Sequence, residues 1–226
     1  MGDGTKVTRL SPVPIGPPSW KWREVAGTSH TCAVRQNGFL YCWGSGYAGQ
    51  LGTGDTEDRL VPTRIGDAIQ WQSVTAGSAF SCAVALDASG WCWGDNTAGE
   101  LGTGDRSSRL VPARMVGRGS WSRIVAGSQF TCGARTDGTL WCWGYGPNGQ
   151  LGIGDIEGEP QRSRPAQVEP DVTWMAATAG TFHACAQHLN GKLQCWGANF
   201  FGQLGDGTRD QRTTPHKVHA PRGRDR

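Results

Sequence analysis

Long apolar segments and dense charge are both missing from this chain of 226 residues. No run of about 18 apolar residues occurs, so the sequence predicts no membrane-spanning helix and no membrane insertion. The net charge is only +3, and the one basic cluster, Arg222, Arg224 and Arg226, lies in a C-terminal tail at 220–226. Nucleic-acid-binding domains usually carry a basic stripe, so a nucleic-acid partner is not expected. The first six residues lack the apolar core of a signal peptide.

Motifs that would carry catalysis or hold a metal are also missing. The sequence contains no Gly-x-Ser-x-Gly elbow, no phosphate-binding P-loop and no His-Glu-x-x-His zinc motif. Asp55, Asp105, Asp155 and Asp206 follow glycines in short loops. One carboxylate per loop is too few for calcium, which takes about six to eight oxygens, so we expect these aspartates to form turns. We predict no catalytic residue, no metal site and no cofactor; a propeller enzyme acting on carbohydrate is kept as an alternative.

Glycine and tryptophan, in contrast, are abundant at 35 and 11 residues, and both recur at fixed positions. The recurring cysteines Cys32, Cys82, Cys132 and Cys185 are spaced by 50, 50 and 53 residues and define four units. We place the units at 20–66, 67–116, 117–170 and 171–219, preceded by an extra N-terminal strand or cap in residues 1–19. The extra residues of the last interval fall in 157–170, which we interpret as a surface loop.

Each unit predicts four short strands, in the first unit at 22–26, 31–35, 39–43 and near 62–65. Short strands separated by turn signals every 8 to 12 residues or so indicate a sandwich, a barrel or a propeller. Pro62 fits a fourth strand at a sheet edge, where no ladder donor is needed. The hairpin between the second and third strands closes at Asn37-Gly38 in unit one, with a left-handed glycine. Unit two reads Asp87-Ala88-Ser89-Gly90 there, so we expect its tip to close differently.

All eight cysteines belong to Cys-x9-Cys pairs, and the hairpin places the two members of each pair opposite one another. The pairs are Cys32 with Cys42, Cys82 with Cys92, Cys132 with Cys142, and Cys185 with Cys195. We favour four disulfides over buried free thiols, because facing cysteines on adjacent strands lie within bonding range. Zinc is disfavoured by the wide spacing. Disulfides favour a secreted, periplasmic or cell-surface location, with the cytoplasm as the alternative.

Three recurring motifs together resemble one known family. They are Ala-Gly-x-x-His/Phe-x-Cys-Ala, Gly-x-Leu-x-Cys-Trp-Gly and Gly-Gln-Leu-Gly-x-Gly-Asp. They resemble repeats of the regulator of chromosome condensation family over about 9–218, and the paired cysteines resemble its bacterial branch. The resemblance implies an all-β chain of four-stranded β-propeller blades. It also implies a non-enzymatic scaffold with protein partners, with guanine-nucleotide exchange on a small GTPase as the founder type's activity.

The chain departs from the family in two ways. The family usually closes a ring of seven blades, whereas four blades at that spacing would span only about 200° and leave two apolar faces open. A fragment of a longer protein, a small ring or a second copy that completes the propeller would each account for this. The insertions that serve nucleotide exchange match no stretch of the sequence, so that activity is not carried over.

Differences between the units point to a candidate site. The tryptophans that precede glycine are the same in every unit and are expected to pack between blades. One position is occupied by histidine or phenylalanine in different units. Because these two side chains cannot share a catalytic role, we expect half-buried packing there, at His30, Phe80, Phe130 and His183. The loop after Trp-Gly varies most, and aromatic residues are common interface anchors. Its predicted partner-binding residues are Tyr47, Asn96, Tyr145, Asn148, Phe200 and Phe201.

Overall fold

The computed structural model of the chain describes residues 2–154 and 160–219, and these residues contain strands but no helix. The strands form four sheets of four, here called blades 1 to 4. Blade 1 contains β1 Trp22–Gly27, β2 His30–Arg35, β3 Leu40–Gly44 and β4 Arg59–Ile65. Blade 2 contains β5 Trp71–Ala76, β6 Phe80–Ala85, β7 Gly90–Gly94 and β8 Arg109–Arg114. Blade 3 contains β9 Trp121–Ala126, β10 Phe130–Arg135, β11 Leu140–Tyr145 and β12 Gln161–Val168. Blade 4 contains β13 Trp174–Ala179, β14 His183–His188, β15 Leu193–Gly197 and β16 Arg212–Lys217.

Within each blade the strands follow chain order and pair antiparallel with their neighbours. The fourth strand is an edge, as Pro62 predicts, because a proline can lie there without removing a ladder hydrogen bond. In blade 1 this strand begins at Arg59, slightly before the predicted segment. The all-β architecture of four-stranded blades is therefore confirmed.

The central hairpin of each blade sets the cysteine register. Cys32 pairs with Cys42, and the same register recurs in the other three blades. All eight cysteines form disulfides within their own hairpins, with Cα–Cα distances of 4.0 to 4.1 Å. The four predicted pairings are confirmed.

The hairpin tip of blade 2 corrects one expectation. Its Ala88 amide donates to the Ala85 carbonyl at 2.9 Å, just as the Gly38 amide donates to the Arg35 carbonyl at 2.9 Å. Ala88 takes a left-handed φ of 63°, where the other tips use glycine. The tip thus closes like the others rather than differently, because the paired strands on either side impose the same turn.

A second correction concerns 157–170, which was expected to be a surface loop. The segment contains β12, the edge strand of blade 3, which pairs with β11. Pro165 follows Arg162 by three residues, as Pro112 follows Arg109 in β8. This spacing could have indicated the strand. The segment was not recognised because it has Ser163 and Arg164 where β8 has Leu110 and Val111.

The N-terminal strand expected in 1–19 is not formed, since no residue from 2 to 21 lies in a strand. A fourth strand forms in the blades by pairing with the third strand of its own sheet, and residues 2–21 join none of the four sheets. Residues 2–9, here called the N-terminal segment, instead lie on blade 1. Gly2 contacts the Trp43 ring so closely that a side chain at Gly2 would collide with it, and the Gly4 amide donates to the Leu60 carbonyl at 2.9 Å.

The hydrophobic core is divided among the interfaces between blades. Each blade has a forward face, which packs on the next blade and in blade 1 includes Cys32, Leu40 and Ile65. Each blade also has a backward face, which in blade 2 includes Trp71 and Val74. Equivalent clusters join blade 2 to blade 3 and blade 3 to blade 4. The disulfides therefore lie inside the interfaces, and each blade buries its apolar faces only against its neighbours.

The described part of the chain does not close into a ring. The principal contacts between strands of different blades join blade 1 to 2, 2 to 3 and 3 to 4. The backward face of blade 1 and the forward face of blade 4 are left as two ends. Val25 is 66% exposed and Leu193 is 45% exposed at these ends. This outcome agrees with the two open apolar faces expected from the sequence.

Candidate functional site

The candidate site is the set of loops between the third and fourth strands of the blades. A glutamine supports the loop in three blades, and it is buried in blades 1 and 3 and half-buried in blade 4. In blade 1 the Gln50 side-chain oxygen accepts from the Ala48 amide at 2.8 Å, and in blade 4 Gln203 does the same for Phe201 at 2.9 Å. Glu100 takes this position in blade 2 and accepts from the Ala98 amide at 2.8 Å. The backbone that presents the variable residues is thereby fixed.

Asn96 is the correction among the predicted partner-binding residues. Its side chain is completely buried, and its amide nitrogen donates to the Ser107 carbonyl at 3.0 Å. Its oxygen accepts from the Leu101 amide at 3.0 Å. Asn199 in blade 4 makes the equivalent bond to Leu204. Asn96 therefore shapes the loop from inside and presents no surface to a partner.

Three predicted residues are well exposed. Tyr47 is 65% exposed, Phe200 is 58% exposed and Phe201 is 89% exposed. Tyr47 and Phe200 occupy equivalent positions in the loops of blades 1 and 4, as judged from the aligned cysteines. Tyr145 and Asn148 are half-buried, and Tyr145 lies at the end of β11 opposite Gln161. The structure thus presents three large aromatic side chains to solvent on supported loops.

The aspartates of these loops form turns, as expected. Asp105 accepts from the Ser107 amide at 3.1 Å and pairs with Arg109 at 2.7 Å. The Ser107 amide, the Arg109 guanidinium and the Thr103 hydroxyl together hold the pKa of Asp105 below its ordinary value, against the opposing effect of burial. Asp55 and Asp206 make equivalent turns and ion pairs, whereas Asp155 lies outside the described residues.

The sequence reading missed one further copy of this turn. The run Gly-Asp-Gly-Thr occurs at 2–5 as well as at 205–208. Asp3 accepts from the Thr5 amide at 3.0 Å and pairs with Arg9 at 2.7 Å, and the Arg9 hydrogen bond is the main reason that its pKa falls to about 2. The repeated four residues were the signal that the N-terminal segment copies a blade loop.

The position of His30 serves packing between blades. His30 is 1% exposed, and its ring nitrogen Nε2 lies 2.7 Å from the Ser81 hydroxyl of blade 2. Burial lowers the pKa of His30 to about 4, so the ring is neutral near pH 7. Phe80 and Phe130 are equally buried, while His183 at the open end is half-buried. The position is more buried than expected wherever another blade follows.

Three further features of the described residues concern metal ligands, charge pairing and helix length. They contain no group of three or more His, Cys, Asp or Glu placed to hold a metal ion. On the inner strands, the Glu24 carboxylate lies 3.5 Å from the Arg123 guanidinium, so it pairs with a cation rather than with a second carboxylate. Residues 2–154 and 160–219 include no helix of the length and apolarity that crossing a membrane requires.

Comparison with known proteins was made on sequence and on structure. The family model of the regulator of chromosome condensation (RCC1) repeat matches residues 37–84, 89–134, 137–187 and 190–226. A second model of the same repeat matches 121–150 and 176–203. The matches begin within the hairpin tips, and the first three join the third and fourth strands of one blade to the first and second strands of the next. A search of curated protein sequences returned no match.

Solved structures share the fold. Human WBSCR16 superposes with a TM-score of 0.81 and 24% identity, over 90% of this chain and 54% of that protein. Prp20p from Saccharomyces cerevisiae, described with its binding properties to Gsp1p and histones, superposes with a TM-score of 0.80 and 20% identity. This match covers 91% of this chain and 52% of Prp20p. The yeast RCC1 (Prp20) bound to Kap60 superposes with a TM-score of 0.76 and 22% identity, over 92% of this chain and 51% of that one. The chain spans about half the length of these structures.

Proposed function

Because the chain belongs to the regulator of chromosome condensation repeat family, we propose that it is a non-enzymatic scaffold that binds a protein partner through its variable loops. The observation that carries the proposal is the exposure of Tyr47, Phe200 and Phe201. Large aromatic side chains are costly to leave in water and are enriched among the anchors of protein interfaces. Here they stand on loops that buried Gln50 and half-buried Gln203 hold in place, so little conformational entropy is lost on binding.

The similar structures support protein as the class of partner. Prp20p is described as binding Gsp1p and histones, and another structure shows it bound to Kap60. At 20 to 22% identity these likenesses give the fold alone, so the identity of the partner does not transfer. We propose protein partners that include a second copy of the chain, and an oxidising compartment, on the strength of the four disulfides.

The test first uses the chain as bait to capture a protein from extracts of the source organism. The affinity of the captured protein is then measured for two triple variants. The loop variant carries Tyr47→Ala, Phe200→Ala and Phe201→Ala. The matched control carries Val61→Ala, Leu86→Ala and Leu189→Ala, which remove 52 to 69% exposed side chains outside these loops. We expect at least a tenfold or so loss of affinity in the loop variant, because interface aromatics contribute more than about 1 kcal/mol each, and no change in the control.

Equal binding by both variants, at unchanged melting temperature, would contradict the loop proposal. Nucleotide exchange is the alternative function that the family resemblance favours. It predicts that the purified chain accelerates release of a fluorescent guanine nucleotide from a small GTPase, which a plain scaffold would not do.

A further inference from the structure

The three interfaces between blades share one hydrogen-bonded joint. The Gln50 carbonyl of blade 1 accepts from the Trp93 indole at 2.9 Å and from the Ser81 hydroxyl at 2.9 Å, both in blade 2. The next two joints repeat this pattern. The Glu100 carbonyl accepts from Trp143 and Thr131 at 2.8 Å each, and the Gln150 carbonyl accepts from Trp196 at 3.0 Å. A forward face thus supplies one carbonyl, and a backward face supplies an indole and usually a hydroxyl.

The two open ends carry the separate halves of a fourth joint. On the forward face of blade 4, the Gln203 carbonyl has no hydrogen-bond donor among the described residues. On the backward face of blade 1, neither the Trp43 indole nitrogen nor the Thr31 hydroxyl donates to an acceptor within residues 2–154 and 160–219. The acceptor at one end of the molecule therefore matches the two donors at the other.

The apolar residues of the two ends match in the same way. Leu193 is 45% exposed, although its equivalents Leu40 and Leu140 are completely buried by the following blade. At the other end Val25 is 66% exposed, although its equivalent Val74 is 5% exposed. A cavity of about 390 Å³ beside Val25 is lined by Trp22, Trp43 and Ala33 together with Pro14, Ile15 and Trp20. Each end would lose apolar surface to water if it met the other.

The N-terminal segment occupies part of this surface on blade 1. Its Gly4 amide bonds to Leu60 in the way that the Gly54 amide bonds to Leu110 at 2.9 Å. Gly2 lies on Trp43 in the way that Gly52 lies on Trp93. The segment copies only the loop of a preceding blade, however, and its Val7 is 56% exposed.

We infer that the forward face of blade 4 docks on the backward face of blade 1 of a second copy, and that the N-terminal segment is a built-in competitor for this contact. The two faces differ, so the contact is head-to-tail and can repeat at the second pair of ends. Two copies carry eight blades, which at the seven-blade spacing span about 400°, so both pairs of ends can meet only if the angle between neighbouring blades falls by a few degrees or so; otherwise the contact continues as an open head-to-tail species. The inference deepens the proposed scaffold function by naming a partner, but it uses the blade ends rather than the loops.

The first experiment is sedimentation velocity of the full chain from about 1 µM to about 1 mM. Deletion of residues 2–9 is expected to tighten self-association by about tenfold or more, because it removes the competitor. Gly4→Pro is a second way to release the segment. Proline has no amide hydrogen for Leu60 and cannot take the φ of 83° that Gly4 has. Both variants are expected to form dimers or longer head-to-tail species at lower concentration than the parent chain.

The second experiment asks whether the ends form the contact. Leu193→Glu in the deletion background is expected to abolish association. Leu86→Glu, a control at the hairpin tip of the interior blade 2 whose side chain is 57% exposed, is expected to preserve it. Trp43→Phe keeps an aromatic ring but removes the indole donor, and should weaken association by about fivefold or more. The loop variant Tyr47→Ala, Phe200→Ala, Phe201→Ala should still associate, so a failed loop proposal and a failed end-to-end contact give different results.

Two outcomes overturn the inference. One is a monomer at every concentration for both the deletion and the Gly4→Pro variants, with melting curves that show folded protein. The other is equal self-association of the Leu193→Glu and Leu86→Glu variants, which would locate the contact elsewhere.

Discussion

Leu140 and Leu193 are the same residue type at the same place in blades 3 and 4, yet one is completely buried and the other is 45% exposed. The difference is the presence of a following blade. Cys132 and Cys185 differ in the same direction, as do Phe130 and His183. A blade of about 50 residues therefore has no core of its own, and the interior interfaces stabilise the chain while the two ends do not.

The largest effect is expected from truncating the two leucines. Leu140→Ala opens a cavity in the interface between blades 3 and 4 and should lower the unfolding free energy by about 3 kcal/mol. Leu193→Ala removes a side chain that already contacts water and should cost about 1 kcal/mol or less. Urea unfolding followed by tryptophan fluorescence measures both. Equal losses would contradict the division into interior interfaces and open ends.

The disulfides provide the next comparison. All four have a sequence separation of 10, so the chain-entropy model gives each the same contribution, about 3 kcal/mol at most. Replacing Cys132 and Cys142 by alanine should cost more than replacing Cys185 and Cys195, because only the former pair is sealed by another blade. Melting temperatures measure the difference.

The same protein preparations test the disulfides directly. Alkylation followed by mass measurement should find no free thiol before reduction and eight after it. Thiols that react without reductant would contradict the four disulfides.

Glu100 offers a smaller effect that depends on pH. The equivalent position is glutamine in the other three blades. Burial raises the pKa of Glu100 to about 7 from 4.5. The folded chain then binds more protons than the unfolded chain between those values. The contribution of Glu100 to stability should therefore be greatest below about pH 4.5, fall as the pH rises to about 7, and stay level above it.

Glu100→Gln should remove this pH dependence and stabilise the chain above pH 7. The gain in unfolding free energy is about 3 kcal/mol at most. It is smaller if the new amide nitrogen has no acceptor, since the amide nitrogens of Gln50 and Gln150 have none among the described residues. Gln203→Glu is the matched reverse change at the open end. That site is half-exposed, so a weaker pH dependence is expected. Unfolding curves at pH 5 and pH 8 or so distinguish these outcomes, and an unchanged pH profile for Glu100→Gln would refute the assignment.

The smallest effect is expected at the hairpin tips. Ala88 holds a left-handed φ of 63°, so Ala88→Gly should stabilise the interior blade 2 by up to about 1 kcal/mol. Gly191 holds a φ of 84° at the tip of the end blade, with no atom within 4 Å of an added side-chain carbon. Gly191→Ala should therefore cost about 1 kcal/mol through the backbone alone. Melting temperatures of the pair measure it, and shifts of the same sign would contradict this account.

Several features were predictable because they depend on contacts close in the sequence. The strand positions, the edge strand with Pro62 and the register of Cys32 with Cys42 all follow from one hairpin and its turn. The strand at Gln161–Val168 was missed because its residues differ from the equivalent strands, although Pro165 keeps its place. The partner-binding role of the exposed loop aromatics and the bacterial origin stay predictions.

Residues whose environment depends on other blades were less predictable. Asn96 varies between units like a surface residue, yet the loop folds around it and buries it completely. Glu100 and Gln203 occupy equivalent positions in the repeat, but a following blade covers only the first. Sequence variation at a loop position indicates neither exposure nor function until the packing around it is known.

The sequence by itself determined the four-fold repeat, the four strands of each blade and the pairing of its cysteines, because hairpins form between neighbouring segments and follow local turn chemistry. Only the tertiary structure decided which faces are covered, where the N-terminal segment lies and which loop side chains reach solvent. Those outcomes depend on a neighbouring blade about 50 residues away, and identical residues meet water or protein according to whether that neighbour is present.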